Sequence, residues 1–265
     1  MAGRAPEAAS YSIRAVQRVC DILDLIQAER EGFSLSQVAE VVGLPRSSAF
    51  RYLATLEDRR YVERNGVTGS YQIGPAFLPL QAQQLAVMAD RARVHMVRLR
   101  DRFEETINFG MLDGNRVSYL EIIESNRSMR LSARRGDRDP LHCTALGKAI
   151  ASTLPWEQIR SLLEADGMPR RTEHTITDLD TFAEELERTR AQGYALDNGE
   201  NEADGRCVAV PLDAGGLPAS LSLSAPATRF PLDHVDEVAE ALREVVDHLT
   251  DELATPASTA SGSSA

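Results

Sequence analysis

Between Ser34 and Leu56 the apolar residues fall into two short helical stripes. Leu35, Val38, Ala39 and Val42 predict one face of a first helix, and Ala49, Tyr52, Leu53 and Leu56 predict the inward face of a second. Ser34 stands three residues before Gln37, a spacing that lets each side chain satisfy an exposed N–H of the first turn. Gly43 ends the first helix in a left-handed corner, and Pro45 opens the second, where its missing N–H costs nothing. The second helix then turns Arg46, Ser47, Ser48, Phe50, Arg51 and Thr55 wholly or partly outward. Two short helices close together, the second showing Arg and Ser from its first turns, are what a major-groove reader requires. Residues 61–64 and 70–73 read as short strands, and Asn65-Gly66 between them is a hairpin turn signal, so a wing is predicted.

Upstream, Ile13, Val16, Val19, Cys20, Leu23, Leu25 and Ile26 predict a helix packed on this reader, with Cys20 buried and inert in its stripe. After Gly74-Pro75 a broader apolar pattern from Phe77 through Leu85, Met88, Ala92, Met96 and Leu99 predicts a long helix to about Phe103 that joins two domains and can pack on a partner. Beyond Glu105 the two periods mix. Strands are predicted at 106–112 and 117–123 around Asp113-Gly114-Asn115, and at 129–133, 194–196, 207–212 and 219–224, the last pair joined by residues 213–216. Helices are predicted at 144–154, 156–163, 179–190 and 232–253, the third capped by Asp178 and ended by Gly193. The fold class is α+β, an antiparallel sheet covered by helices behind a small helical reader.

Composition adds limits. A chain of 265 residues with 43% hydrophobic content can bury two cores. It has neither a long apolar run nor a basic-then-apolar leader, so no membrane partner is expected and a cytoplasmic location is. The net charge of -11 looks wrong for a nucleic-acid binder, yet acidic and basic residues balance up to Pro75 and the excess lies beyond it. A weakly charged reader on an acidic body predicts useful affinity from paired heads on one DNA site. Lys148 is the sole lysine. Cys20, Cys143 and Cys207 are too few and scattered for a disulfide framework, and no CxxC spacing supports a metal. No cofactor is expected.

Two stretches carry candidate ligand chemistry. In residues 140–148 a helix starting near His142 or Cys143 would aim free N–H groups at an anion such as a carboxylate, and the small Thr144, Ala145 and Gly147 either admit a ligand or permit tight packing. In residues 197–202, Asp197, Glu200 and their amide neighbours form a polar loop between predicted core strands, placed to close a pocket. Ser222 and Ser224 alternate with Leu221 and Leu223, which puts both hydroxyls on one strand face. An enzyme is the alternative from another class, with Cys143 as nucleophile and the reader as a docking module. Adjacent His142 and Cys143 point in different directions on a helix and make a poor base and nucleophile pair. A third alternative is constitutive architectural DNA binding, which predicts an occluded second domain.

Taken together, residues 34–56, the wing end Gly69-Ser70-Tyr71-Gln72-Ile73-Gly74, residues 140–149, and Asp197 through Glu200-Asn201-Glu202 to Arg206-Cys207-Val208-Ala209-Val210-Pro211 resemble the IclR family of bacterial transcriptional regulators. The resemblance runs from about Ile13 to Leu249. It implies a winged helix-turn-helix domain at 10–75, a linker helix at 76–103 and a GAF-like effector-binding and oligomerisation domain at 104–254; composition alone predicts a disordered leader at 1–9 and a disordered tail at 255–265. It also implies dimers that pair into tetramers on double-stranded operator DNA, and a small organic acid as effector, in a repressor of a catabolic operon. The expected DNA contacts are Ser36, Arg46, Ser47, Ser48, Phe50, Arg51, Arg64 and Asn65. The family's pocket positions correspond to Leu131, Ala145, Leu146, Asp197, Cys207, Ser222 and Ser224, and the residue reading adds His142, Cys143, Thr144 and Glu200. Two departures bear on this. Phe50 stands where relatives often carry His, and Asn201-Glu202-Ala203-Asp204-Gly205 replaces a frequent Glu-Pro-Gly turn, recharging the expected pocket rim.

Overall fold

The computed structural model describes residues 13–27, 32–213 and 216–254, so the expected leader, the expected tail and Ala214-Gly215 of the last hairpin lie outside it. The chain divides into two compact units, Met1–Gln84 and Leu85–Ala265. In the first unit, helices α1 (Arg14–Gln27), α2 (Leu35–Val41) and α3 (Arg46–Asp58) precede a two-stranded antiparallel sheet of β1 (Val62–Arg64) and β2 (Tyr71–Ile73). A single 3-10 turn at Pro75–Phe77 then leads into α4 (Leu78–Phe103), which runs on into the second unit.

The stripes predicted for α2 and α3 are the core of the first unit. Val38, Val42, Leu53 and Leu56 pack with Ile22, Ile26, Val62 and Tyr71. Ser34 and Gln37 make the reciprocal capping bonds, Gln37 N–H to Ser34 Oγ at 3.3 Å and Ser34 N–H to Gln37 Oε1 at 2.9 Å. Gly43 takes φ 65°, the left-handed corner between the helices. Pro45 sits one position earlier than expected. It is the N-cap of α3, and its carbonyl accepts from Ser48 and Ala49. Cys20 is a correction: it is exposed, not buried. The inward face of α1 is centred on Ile22 and Ile26, and two residues from Ile22 is about 200° of rotation, the far side of the helix.

The wing turn also differs from expectation. Four residues, Gly66 to Gly69, separate Asn65 from Ser70, whose carbonyl accepts the Asn65 N–H. The left-handed residue is Gly69, at φ 72°, and not the Asn-Gly pair. Asn65 Oδ1 accepts from Val67 and Thr68, an Asx-type closure that makes the longer loop preferable to a two-residue turn.

In the second unit the strands are β3 (Thr106–Asp113), β4 (Arg116–Ile123), β5 (Arg138–Pro140), β6 (Ala195–Asn198), β7 (Gly205–Asp213) and β8 (Pro218–Pro226). They form one antiparallel sheet in the order β5-β4-β3-β8-β7-β6. Ile107, Phe109, Val208, Val210, Leu221 and Leu223 line one face and pack with Met88, Ala92, Met96 and Leu99 of α4 and with Val238, Leu242 and Val246 of α8 (Val235–Ala254). The other face is covered by α5 (Ala145–Ser152), α6 (Trp156–Asp166) and α7 (Leu179–Gln192) through Ile150, Ile159, Phe182 and Leu186. Period two along the strands therefore serves two cores. A register shift opposite Phe109/Gly110 leaves one extra residue in β4 and reverses its pleat. Val117 and Tyr119 belong to the α5 side, whereas Ile123 joins the α4 side, where Glu121 also meets Arg93 of α4.

Two predicted elements are corrected here. Residues 129–133 are not a strand, because the edge of β4 is already taken by β5 and by the Tyr119–Asp137 backbone bonds. The segment instead follows its arginines to carboxylates: Arg127 to Glu104, Arg130 to Glu124 and Arg135 to the buried Glu121. Helix α5 begins at Ala145, within a residue of the predicted 144 and not near His142 as the anion reading required, because Thr144 is extended and caps it, its Oγ1 accepting the Gly147 N–H at 3.0 Å. Gly147 resolves to close packing: a Cβ there would lie 2.4 Å from the Leu141 carbonyl oxygen.

Candidate functional site

In the first unit the burial of Ala49, Leu53 and Leu56 fixes the rotation of α3. Arg46, Ser47, Phe50, Arg51 and Thr55 consequently face solvent, and Ser48 is half-buried. Phe50 is 51% exposed, a large apolar side chain kept outside the core. Ser36 is exposed on the first turn of α2. On the wing, Arg64 donates to the Gly69 carbonyl at 3.3 Å and its guanidinium lies 5.8 Å from the centre of the Tyr71 ring. That holds the charge against the wing. Asn65 spends its side-chain oxygen on the wing loop, so its role there is structural.

In the second unit a cavity of about 60 Å³ opens on the α5 side of the sheet. Its wall combines Asn108 of β3, Tyr119 of β4, Asp139 of β5, Asp197 of β6, Cys207 of β7 and Ser224 of β8 with Leu131, Asn201 and Glu202 from loops. The period of two brings these together. Asp197 is the cross-strand partner of Cys207, Cys207 of Ser224, and Thr106 of Ser224, two residues from Asn108, which itself pairs with Ser222. Asn108 Nδ2 donates to Ser222 Oγ at 3.2 Å and Ser224 Oγ at 3.0 Å, so both hydroxyls share the expected face. Tyr119 donates to Asp139 Oδ2 at 2.8 Å. Larger concavities occur elsewhere; that beside α1, about 580 Å³, is lined by consecutive turns of one helix, with no convergent polar groups from several elements.

The loop after β6 is built on Asp197, whose Oδ1 accepts the N–H groups of Glu200 at 2.7 Å and Asn201 at 3.3 Å. Thr172 and Thr175 hold the same loop by donating to the carbonyls of Gly199 and Glu200. Below it, Lys148 is fully buried and donates to Glu185 Oε1 at 2.8 Å, to the Leu196 carbonyl and to Glu200 Oε1. Burial lowers the Lys148 ammonium, but Glu200 and Glu185 outweigh it and hold it above its usual range. Burial raises Glu200 despite Lys148, and Glu185, also paired with Arg188, is the carboxylate held low. Asp197 is pushed up to about 7, first by burial and then by Glu200. The Cys143 thiol is pushed up to about 12 by burial and by Asp197.

Of the sequence-predicted residues, Leu131, Asp197, Cys207 and Ser224 line the cavity, and Ser222 reaches it through Asn108. The others stand behind the wall. His142 is buried on the Pro169 carbonyl at 3.1 Å, and burial lowers its imidazole. Cys143 donates to Asn201 Oδ1 at 3.6 Å, Thr144 caps α5, Ala145 and Leu146 are core, and Glu200 serves Lys148. Asp204 is exposed, so the rim charge comes from Glu202. Asn108, Tyr119 and Asp139 were missed. The available signal was a polar Asn inside an otherwise apolar strand, and Tyr119 and Asp139 required knowing how β4 pairs with β5. Among the described residues no group of three or more His, Cys, Asp and Glu could hold a metal, and no helix is long and apolar enough to cross a membrane.

Comparison with known proteins matches two family descriptions, the IclR helix-turn-helix domain over residues 15–66 and the bacterial transcriptional regulator IclR C-terminal domain over residues 81–251. The HTH-type transcriptional regulator KdgR of Dickeya chrysanthemi is 31% identical over 246 residues, covering 91% of this chain and 80% of that protein. The crystal structure of the Thermotoga maritima IclR aligns with TM-score 0.61 and 30% identity, over 91% of this chain and 98% of that one. An IclR homolog complexed with 4-hydroxybenzoate, from Microbacterium hydrocarbonoxydans, aligns with TM-score 0.58 and 25% identity, over 91% of this chain and 99% of that one. With a helix-turn-helix in its first unit and a sheet-walled cavity in its second, the chain belongs to the IclR family of ligand-responsive, DNA-binding transcriptional regulators.

Proposed function

We propose that α3 enters the major groove of an operator, with Arg46, Ser47, Ser48, Phe50 and Arg51 toward base edges or phosphates, and that Ser36, Arg64 and the wing built on Asn65 contact the flanking backbone. The observation that carries this reading is the rotation of α3: its first turns present Arg and Ser to solvent because Ala49, Leu53 and Leu56 are buried beneath them. The second unit binds a small organic acid and favours one arrangement of paired heads, in a dimer or tetramer that represses a catabolic operon. Such a ligand acts only through different affinities for the two arrangements. The relative bound to 4-hydroxybenzoate supports the ligand class, and the open cavity favours a ligand-responsive protein over a constitutive architectural one.

The rival enzyme with a docking module needs a reactive thiol. Cys143 is buried and its pKa is pushed up to about 12, the reverse of nucleophile activation. The test is a gel shift on the gene's own upstream DNA at fixed salt, repeated across organic and sugar acids. A selective shift that one compound alters is expected. Replacement of Arg51 by Ala is expected to weaken that shift by about 1–3 kcal/mol if Arg51 reads a base. Unchanged affinity and unchanged sequence preference in R51A would show the helix is placed wrongly, and turnover lost in C143A without selective DNA binding would favour the enzyme.

A further inference from the structure

On the α4 side of the sheet a carboxylate is buried where an apolar side chain would pack at lower cost. Glu121 of β4 is buried, and its cross-strand partner Phe109 and its neighbour on the same face, Ile123, belong to the apolar core under α4. Two guanidiniums from different elements share its charge. Arg93 of α4 places Nη2 at 3.2 Å from both carboxylate oxygens. Arg135, from the loop before β5, donates through Nε to Oε1 at 3.1 Å and pairs through Nη2 with Oε2. A buried charge cluster of this kind adds little or nothing to stability over apolar residues of the same volume, so holding the fold together does not account for it. Its connections do. The bulge at Leu120 sets Tyr119 and Glu121 on opposite faces of the sheet, Tyr119 at the cavity and Glu121 toward α4. Arg135 stands two residues after Ala133 of the cavity wall and just before Gly136 and Asp137, whose backbone groups bond Tyr119 at 2.9 and 3.1 Å. Helix α4 begins at Leu78 in the first unit and carries Arg93 in the second. One carboxylate therefore touches both the helix that leads from the DNA-reading unit and the loop that walls the cavity.

Resting on the regulator reading above, we propose that Glu121 is the coupling residue of this protein. Arg93 and Arg135 share it, and a displacement of the cavity wall that withdraws Arg135 leaves the carboxylate to Arg93 alone and changes how α4 is held. Two arrangements follow, one shared and one with Arg93 only, and a ligand that favours either of them biases α4. The exposures fit a joint that opens on one side. The Arg93 and Arg135 side chains are 50% and 53% exposed, so either guanidinium can turn to water at little cost, whereas Glu121 at 1% cannot. Coupling is reciprocal, so DNA held by the first unit acts back on the wall loop even with no ligand present.

Hydrogen–deuterium exchange of the full-length protein, read in the loop peptides between Glu124 and Asp137 with and without the gene's own upstream DNA, tests this. In the parent, DNA is expected to change exchange in that loop by about fivefold or more, the low end of an allosteric coupling. E121Q keeps the size of the side chain and removes its charge; it is expected to retain selective DNA binding and to lose the loop response. R93Q and R135Q are expected to lose the response to the same extent, and the E121Q/R93Q double variant no further, because each breaks the same joint. A cluster that only stabilises the fold would instead lower the thermal midpoint in these variants and leave the DNA-induced change in place. Should E121Q fail to fold, R93Q and R135Q, whose removed groups are half exposed, decide the matter. Selective DNA binding with no change in the parent's loop, or a response intact in the variants, would overturn this inference and leave the regulator reading standing. Absence of selective binding in the parent itself would remove both.

Discussion

Replacing Lys148 by Met removes the buried cation beneath the cavity loop while keeping the apolar stem. In the native protein Lys148 Nζ serves Glu185, Glu200 and the Leu196 carbonyl, with no exposure of the side chain. After the change Glu185 keeps Arg188 at 2.7 Å, but Glu200, only 8% exposed, keeps no cation, and its Oε2 has no hydrogen-bond partner to begin with. Breaking a buried pair by removing one partner costs about 3–5 kcal/mol, because a charge is left uncompensated. At about 2–4 °C per kcal/mol for a unit of this size, the midpoint should fall by roughly 6–20 °C. Trp156, the only tryptophan, packs with the same cluster of α5 to α7, so its fluorescence reports the unit concerned. The sign with pH is fixed. Without Lys148 the folded-state pKa of Glu200, already raised by burial, rises further above its unfolded value, so stability is greatest below the unfolded pKa and is lost as pH rises through the folded one. The deficit of K148M should narrow from pH 8 to pH 5, and adding E200Q should return about 1–3 kcal/mol at pH 8. A K148M midpoint within 2 °C of the parent at pH 8, or a deficit that widens on acidification, would refute the assignment.

The remaining predictions concern backbone, charge and access. Gly147→Ala places a Cβ against the Leu141 backbone and should cost about 1–3 kcal/mol or more by urea denaturation, as overpacking does. Gly43→Ala meets no atom within 4 Å, so its cost should be only the left-handed backbone term, about 1–2 kcal/mol. Asp197→Asn should flatten the pH dependence of the Trp156-monitored midpoint. The native carboxyl, raised from 3.8 to about 7, makes the fold most stable below its unfolded pKa and less so as pH climbs to about 7. A D197N profile parallel to that of the parent would show that another group sets the slope.

Much of the fold was legible because local signals and burial agreed. The Ser34-Gln37 capping pair, the Gly43 corner, the Asp178 cap with Gly193 at the end of α7, and the Gly114 hairpin all appear where the residues placed them. Failures cluster where tertiary partners override local pattern. Residues 129–133 have strand-like alternation, but the edge they needed is taken by β5. Cys20 fits a helical spacing read on the wrong face, because Ile22 was left out of the stripe that it centres. In the cavity the legible residues were those on a single strand or its direct cross-strand neighbours: Asp197, Cys207 and Ser224. Tyr119 and Asp139 could not be found this way, since a bulge and a short edge strand bring them there. His142, Cys143 and Thr144 were drawn in by a helix start placed too early, and Thr144 spends its hydroxyl on the cap.

The loop from Glu124 to Asp137 that carries Leu131 is fastened differently from the rest of the cavity wall. The strands hold one another by backbone ladders, whereas this loop is tied to its surroundings by the pairs of Arg127 with the exposed Glu104 and Arg135 with the buried Glu121, by bonds of Thr106 and Arg229 to the Leu131 and Met129 carbonyls, and by the backbone bonds of Tyr119 with Gly136 and Asp137. Exposed pairs weaken as the screening length shortens, from about 30 Å at 0.01 M to about 8 Å at 0.15 M salt, while ladders do not. Raised ionic strength is therefore expected to loosen this loop before it loosens the sheet, which proteolysis within residues 124–137 at low and high salt would read.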